Sequence, residues 1–420
     1  MNDPDSSAAF PMDLKRYGMV FALVIVAMIT YVDRTAISTA KDAVSAEFSL
    51  SDSGMGLVFS AFALGYGFAQ IPAGWLADRF GPRAVLAGAV GIWSLLTMST
   101  GAAWNLPSLI VILFFFGAGE AAVFPGSARA IRNWLEPGQR GRANGALFAG
   151  SRIGAALSYP LLVWMLTIGN WKNAFVVLGF VGLVWATFWI IWFRDFPQND
   201  PLFPAEHGQL EIKGTAPTGL TAARLTPVML QYFASNFTNF ICLSWMLPYL
   251  KGQYHLSSAH AARYSMIPLL LGATSQGVAG WLVDRMFSST WRQWSRRFPA
   301  MVGFFLSAAG LICVTEAHSV EGAVVGFTVA VFGADMTISP SWVFCADIAG
   351  KHTGRISGTM NMFGSIGAFI SANAFPFLNK STGSSSAYFL LAATLDVVGI
   401  LCWIRMSSLQ SEKMLPDLKR

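Results

Sequence analysis

The chain has 420 residues, of which 54% are hydrophobic, 14% aromatic and only 12% charged, with a formal net charge of +6. Soluble domains carry roughly 25% charged residues, so a water-soluble enzyme is excluded. The abundance of apolar side chains likewise excludes a disordered or fibrous chain and points to lipid as the main solvent.

The first sixteen residues, MNDPDSSAAFPMDLKR, are polar and lack the basic-then-apolar order of a signal peptide. Twelve apolar runs follow, each near the roughly 20 residues a membrane helix needs. They cover 18–40, 54–77, 84–103, 106–128, 142–168 and 173–193, then 226–250, 259–283, 299–317, 321–348, 355–377 and 385–405, and are numbered spans 1 to 12. Gly, Ser and Ala are plentiful in them, as close helix packing in lipid requires. The ten-residue alternation of a membrane β-barrel is not seen. The expected layout is a tail (1–17), a six-helix bundle (18–193), a polar linker (194–225), a second six-helix bundle (226–405) and a tail (406–420). With the N-terminus in the cytoplasm, Lys41, Lys172, Lys251, Arg263 and Lys380 fall outside and Arg34 and Arg152 fall within spans. The other 21 of the 28 Lys and Arg are cytoplasmic. That bias sets both termini and the linker inside. It lays the positive excess against anionic headgroups, so the bilayer is the expected partner and no nucleic acid is needed.

The two halves echo each other. QIPAGWLADR (Gln70–Arg79) returns as QGVAGWLVDR (Gln276–Arg285) at an offset of 206, and GRANGALFAGSRIGA (Gly141–Ala155) returns as GRISGTMNMFGSIGA (Gly354–Ala368) at an offset of 213. Span 2 thus matches span 8, and span 5 matches span 11. Like-oriented repeats around a site at the midplane are a transporter architecture.

The stretch GWLADRFGPRA (Gly74–Ala84) resembles the signature of the major facilitator superfamily. YVDRTAIS in span 1, GYGFAQIPAGW in span 2, GAGEAAVFPGSARAIRNW in span 4 and DIAGKHTGRISGTMN before span 11 resemble its anion:cation symporter branch. That branch includes bacterial sugar-acid (hexuronate) transporters and vesicular glutamate transporters. The resemblance implies an all-α integral membrane fold of twelve helices in two pseudo-symmetric six-helix bundles, located in the cell inner membrane.

A charge at the bilayer centre costs at least about 2.5 kcal/mol, and such residues usually face a cavity or a partner. Asp33 and Arg34 are adjacent in the outer half of span 1. Arg34 either snorkels to outer headgroups or holds an anion while Asp33 carries a proton; the resemblance implies the second. Glu120 lies among small residues of span 4. Burial disfavours a charged carboxyl, which suits a proton carrier, and the resemblance places the family's coupling glutamate here. A packing role for a permanently protonated Glu120 is the alternative. Arg152 in span 5 is too deep to snorkel easily. It is either a carboxylate receptor or the partner of Glu120 or Asp335. The family's sugar-acid members often carry an arginine seven residues before this glutamate, where this chain has Leu113, and commonly a neutral polar residue near Ser151. Arg152 is therefore expected to replace that charge from another helix. Aligning GAGEAAVFP with FGADMTISP at an offset of 215 sets Asp335 opposite Glu120, as a second titrating group or as the partner of Arg152. Asp396 in span 12 reads as structural.

Among neutral groups, the resemblance makes Asn361 and Tyr66 substrate contacts. Ser365, one turn from Asn361, joins them, and Ser151 is placed with them by the family's polar residue in span 5. Asn236, Asn239 and Gln276 could line the second half, and Trp342 and Trp245 its cavity wall, with helix packing as the alternative. Gly74, Asp78, Arg79, Gly81 and Arg83, with the copies Asp284 and Arg285, sit at cytoplasmic helix ends. Asp78 can accept from the N-terminus of span 11 beside Arg355, which the resemblance implies is a gate.

No GxxxxGK[ST] run supports ATP-driven transport. The five histidines and the four cysteines (Cys242, Cys313, Cys345, Cys402) form no metal or redox motif, and the cysteines are expected as thiols packed in helices. No cofactor beyond coupling protons is expected. The reading is a monomeric secondary transporter that symports a small-molecule organic anion, such as a sugar acid, with protons. An exporter or facilitator of an amphiphile and a non-transporting sensor are the alternatives.

Overall fold

In a computed structural model the chain is described over residues 14–50, 52–196 and 222–406. Most of both expected tails and of the linker therefore lies outside the described residues. The described residues form helices and turns, with no strand among them. Span 1 is Leu14–Thr39. Spans 2 and 3 share Asp52–Thr100, reversing at Gly81, whose φ of 80° favours glycine. Span 4 combines Leu106–Glu120 and Val123–Trp134, and spans 5 and 6 are Arg140–Ile168 and Trp171–Trp192. In the second half, Ala222–Ser244 and Met246–Gln253 make span 7, followed by Ser258–Phe287 and Arg297–Thr315. Val320–Met336 and Ile338–Ala349 form span 10, and Thr353–Thr382 and Ser386–Arg405 are spans 11 and 12. All twelve expected spans are helical.

Eight helical stretches, carrying ten of these spans, are long and apolar enough by composition to cross a membrane. Spans 5 and 7 are long but more polar, because they bring Asn144, Ser151 and Arg152, and Gln231, Asn236 and Asn239, to the interior. Large apolar side chains are exposed on the spans, among them Phe21, Phe180, Ile191, Phe305 and Phe369. Cys345 and Cys402 are buried as expected, whereas Cys313 is exposed on the outer surface of span 9; the Cys242 side chain lies outside the described residues. A short helix not foreseen in the sequence, Lys41–Phe48, covers the outer end of span 1. Its Glu47 accepts from Trp171 Nε1 at 2.8 Å and pairs with Lys172 at 2.5 Å, and the Lys172 ammonium holds that carboxyl below its ordinary range.

Spans 4 and 10 are each broken just after a carboxylate. Glu120 precedes Pro125 by five residues, and Asp335 precedes Pro340 by the same number. A proline inside a helix removes one N–H and clashes with the carbonyl four residues back, so the break follows from the repeat itself.

Within each half, span 5 packs on span 1, span 4 on the span 2–3 helix, span 10 on span 9 and span 11 on span 7. Across the halves, span 8 packs on span 5 and span 11 on the span 2–3 helix. These crossings are backbone-to-backbone at glycine. A Cβ at Gly74 would lie 2.1 Å from the Gly354 carbonyl oxygen, and one at Gly280 would lie 2.4 Å from that of Gly141. Gly67, on the same helix as Gly74, has open space around it. Gly74→Ala should therefore lower the apparent melting temperature in detergent, by the roughly 1–3 kcal/mol typical of overpacking. Gly67→Ala should leave it unchanged or slightly raised, since alanine favours helix.

Candidate functional site

The adjacent residues Asp33 and Arg34 leave their helix about 100° apart and reach different neighbours. Arg34 Nε donates to Glu120 Oε2 of span 4 at 2.5 Å. Its guanidinium stands 4.3 Å from the Tyr66 ring, 5.2 Å from Tyr31 and 5.4 Å from Phe62, an aromatic cage that favours a cation. Asp33 accepts from Trp93 Nε1 at 3.2 Å instead. Arg34 is thus paired with Glu120, and Asp33 is a separate buried acid. Glu120 is fully buried and Arg34 keeps 20% of its side chain exposed, so the pair is accessible on the arginine side only. Asp33 Oδ1 and Glu120 Oε1 make no hydrogen bond among the described residues.

Arg152 pairs with Asp335, one of its expected alternatives. Its Nη2 donates to Asp335 Oδ1 at 2.5 Å and to Asn239 Oδ1 at 3.3 Å. This joins span 5 of the first half to spans 7 and 10 of the second, twelve residues or roughly 18 Å from the start of span 5. A second bridge lies at Asn361, whose amide donates to Tyr66 Oη and to Gln70 Oε1, both at 3.1 Å. Asn361 and Tyr66 are brought together across the halves, and Tyr66 links them to the Arg34 cage.

Other expected contacts are placed differently. Ser365 and Ser151 donate to carbonyls of their own helices, at Asn361 and Leu147. Trp342 is fully buried between Phe124 and Phe148, with its Nε1 donating to Tyr232 Oη at 2.9 Å, so it plugs the joint between the halves and leaves no face on a cavity. Trp245 stacks on Phe375 and donates to the Ala372 carbonyl, a packing role. Asp396 accepts from Thr238 and Ser307 at 3.1 and 2.6 Å, tying spans 7, 9 and 12 as a structural acid. Gln70 and Trp93 were not singled out in the sequence. Gln70 heads the first repeat and was legible there as the counterpart of Gln276; Trp93 had no signal.

At the end where the basic residues gather, Asp78 accepts from the backbone N–H groups of Gly354 and Arg355, both at 2.7 Å. Asp284 accepts from those of Gly141 and Arg142, both at 2.8 Å. Each carboxylate caps the first turn of a helix in the opposite half, where free N–H groups and the helix dipole favour an anion. Asp347 adds ion pairs to Arg140 and Arg296 at 2.7 and 3.0 Å. Gly81 and Arg83 stay within their own half: the Arg83 N–H donates to Asp195 at 2.8 Å and its guanidinium donates to the Ile190 carbonyl. Arg79 lies over Trp75 and Phe80, and Arg285 is exposed. The polar contacts that join the halves run from this basic end up to Arg152 and Asn361.

Comparison with known proteins agrees with this architecture. The model of the Major Facilitator Superfamily matches residues 23–372. The chain is 30% identical to a probable sulfoacetate transporter of Cupriavidus necator, over 92% of each chain. It is 29% identical to a hexuronate transporter of Bacillus subtilis, over 92% of this chain and 93% of that one. Among solved structures it superposes on a proton:xylose symporter with a TM-score of 0.74 at 15% identity, covering 93% of this chain and 96% of the other. Two like-oriented six-helix halves joined across a buried polar layer, with these matches over nearly the whole length, make the chain a member of the Major Facilitator Superfamily: a multi-pass membrane transporter and not an enzyme.

Proposed function

We propose that this transporter symports an organic anion with protons by alternating access, as a monomer in the inner membrane with both termini cytoplasmic. The carrying observation is the Arg34–Glu120 pair: a partly exposed guanidinium, neutralised by a carboxylate with no exposure of its own. An anion that draws Arg34 away from Glu120 leaves a bare carboxylate buried, and that carboxylate is costly without its partner. Protonating Glu120 meets both conditions, so anion and proton arrive together. Asp33 is the relay beside it. The substrates in the names of the relatives, sulfoacetate and hexuronate, are organic anions of this kind.

Coupling to conformation follows from charge. Loaded, the cavity holds paired or neutral groups, and the halves rock about the central layer. Empty, it keeps its ion pairs, and Asp78 and Asp284 hold the basic end shut. Inward passage of one negative charge against 100 mV costs about 2.3 kcal/mol, so a proton must travel with it if the anion is to be concentrated inside.

Glu120→Gln keeps an acceptor for Arg34 but carries no titratable proton. It should reduce proton-driven accumulation in proteoliposomes to the equilibrium level while anion exchange continues; accumulation in that variant would sink the coupling role. Asn361→Ala removes the amide that bridges Tyr66 and Gln70. A lost hydrogen bond worth about 0.5–1.5 kcal/mol should raise KM about three- to tenfold without changing the proton-to-anion ratio, as read from initial rates and a pH dye.

A further inference from the structure

The interior holds two arginine–carboxylate pairs, and they are built alike. Arg34 meets Glu120 and Arg152 meets Asp335, each at 2.5 Å, each acid fully buried and each arginine partly exposed. Each acid uses one oxygen for its arginine. Glu120 Oε1 and Asp335 Oδ2 close no hydrogen bond among the described residues, which leaves one site on each for a proton. The groups facing Glu120 are Arg34 and the neighbouring acid Asp33; those facing Asp335 are Arg152, Gln276 and the backbone at Gly272.

The two cations stand at different depths along the packed spans 1 and 5. A Cβ at Gly150 would meet Val24, and one at Gly154 would meet Met28, so Arg152 is level with about residue 26 of span 1. Arg34 is then about eight residues, or roughly 12 Å of helix rise, further from the basic end. A ligand touching both lies along the membrane normal with a charge at each end.

We propose that the transported anion is a dianion with an anionic group at each end, one taken by Arg34 and the other by Arg152, while Glu120 and Asp335 each receive a proton. This rests on the proton-coupled reading above and names its substrate class. The charges balance. Empty, two guanidinium groups face two carboxylates; loaded, they face the two ends of the ligand and the acids are neutral. Two protons and one dianion cross with no net charge. A monoanion satisfies one arginine only and leaves the Arg152–Asp335 tie between the halves closed.

Proteoliposomes with an entrapped pH dye test this with matched acids: galactarate against galactonate, and sulfoacetate against glycolate, in which a hydroxyl replaces the second charged group. The dianion of each pair should drive proton entry at least tenfold faster, at two protons per anion, with a rate indifferent to an imposed potential of either sign. Removing one partner alone would strand a buried charge, so the informative variant is the neutral pair Arg152→Gln with Asp335→Asn. It should lower the dianion-to-monoanion rate ratio at least tenfold and drop the count to one proton per dianion. Equal rates for the two members of each pair, a dianion rate that follows the potential, or a variant that slows both alike would overturn the inference and leave anion symport standing. Proton entry with none of the four acids would overturn both. If the variant does not elute as a folded protein, the wild-type comparison decides alone.

Discussion

Hydrocarbon tolerates a guanidinium only when an acid is buried with it, and the interior of this transporter is laid out by that constraint. Arg34 and Arg152 are each brought within 2.5 Å of a carboxylate on another helix. Neither pair is a stability device: two ions taken out of water recover little more than their desolvation cost. What such a pair supplies is a condition. In the symport proposed above, either both charges remain, or a proton and an anion replace the bond together. A carrier needs that dependence, and it holds at whatever rate the helices move.

The pairs are positioned by a duplication. Glu120 and Asp335 occupy matching places in spans 4 and 10, each just before a break imposed by a proline five residues on. Their arginines do not match, since one comes from span 1 and the other from span 5. The acids are thus inherited symmetrically and the cations were placed independently. Leu113 is packed in the first core and adds no charge to the site.

Much of this was legible in the sequence, for physical reasons that differ by feature. The spans were legible because each must cover its length in apolar residues. The basic-end lock was legible because the two repeat offsets that match Asp78 with Asp284 also match Gly354 with Gly141. The partner of Arg34 was not legible. Adjacency in a helix separates side chains by about 100°, and which neighbouring helix lies along each direction is a matter of packing. For the same reason Trp342 read as a cavity wall and is instead sealed by Phe124, Phe148 and Tyr232. Gly81 and Arg83 belong to the gate motif by sequence but contact Asp195 and Ile190 of their own half, bracing the bundle that carries Asp78.

The lock and the ion pairs lie on the same helices, and this gives the switch its mechanical sense. Span 5 starts at the Asp284 cap and carries Arg152 three turns later; span 11 starts at the Asp78 cap and carries Asn361 two turns later. A tilt of either helix that relaxes the central contact also moves its first turn away from the carboxylate that caps it. Because helix packing at Gly74–Gly354 and Gly141–Gly280 leaves no room for a side chain, it resists bending there and favours movement as a rod. In the proposed symport, filling the central layer with neutralised acids and a bound anion would act at the far end through the helix itself, with no chain of intermediate side chains needed to carry the signal.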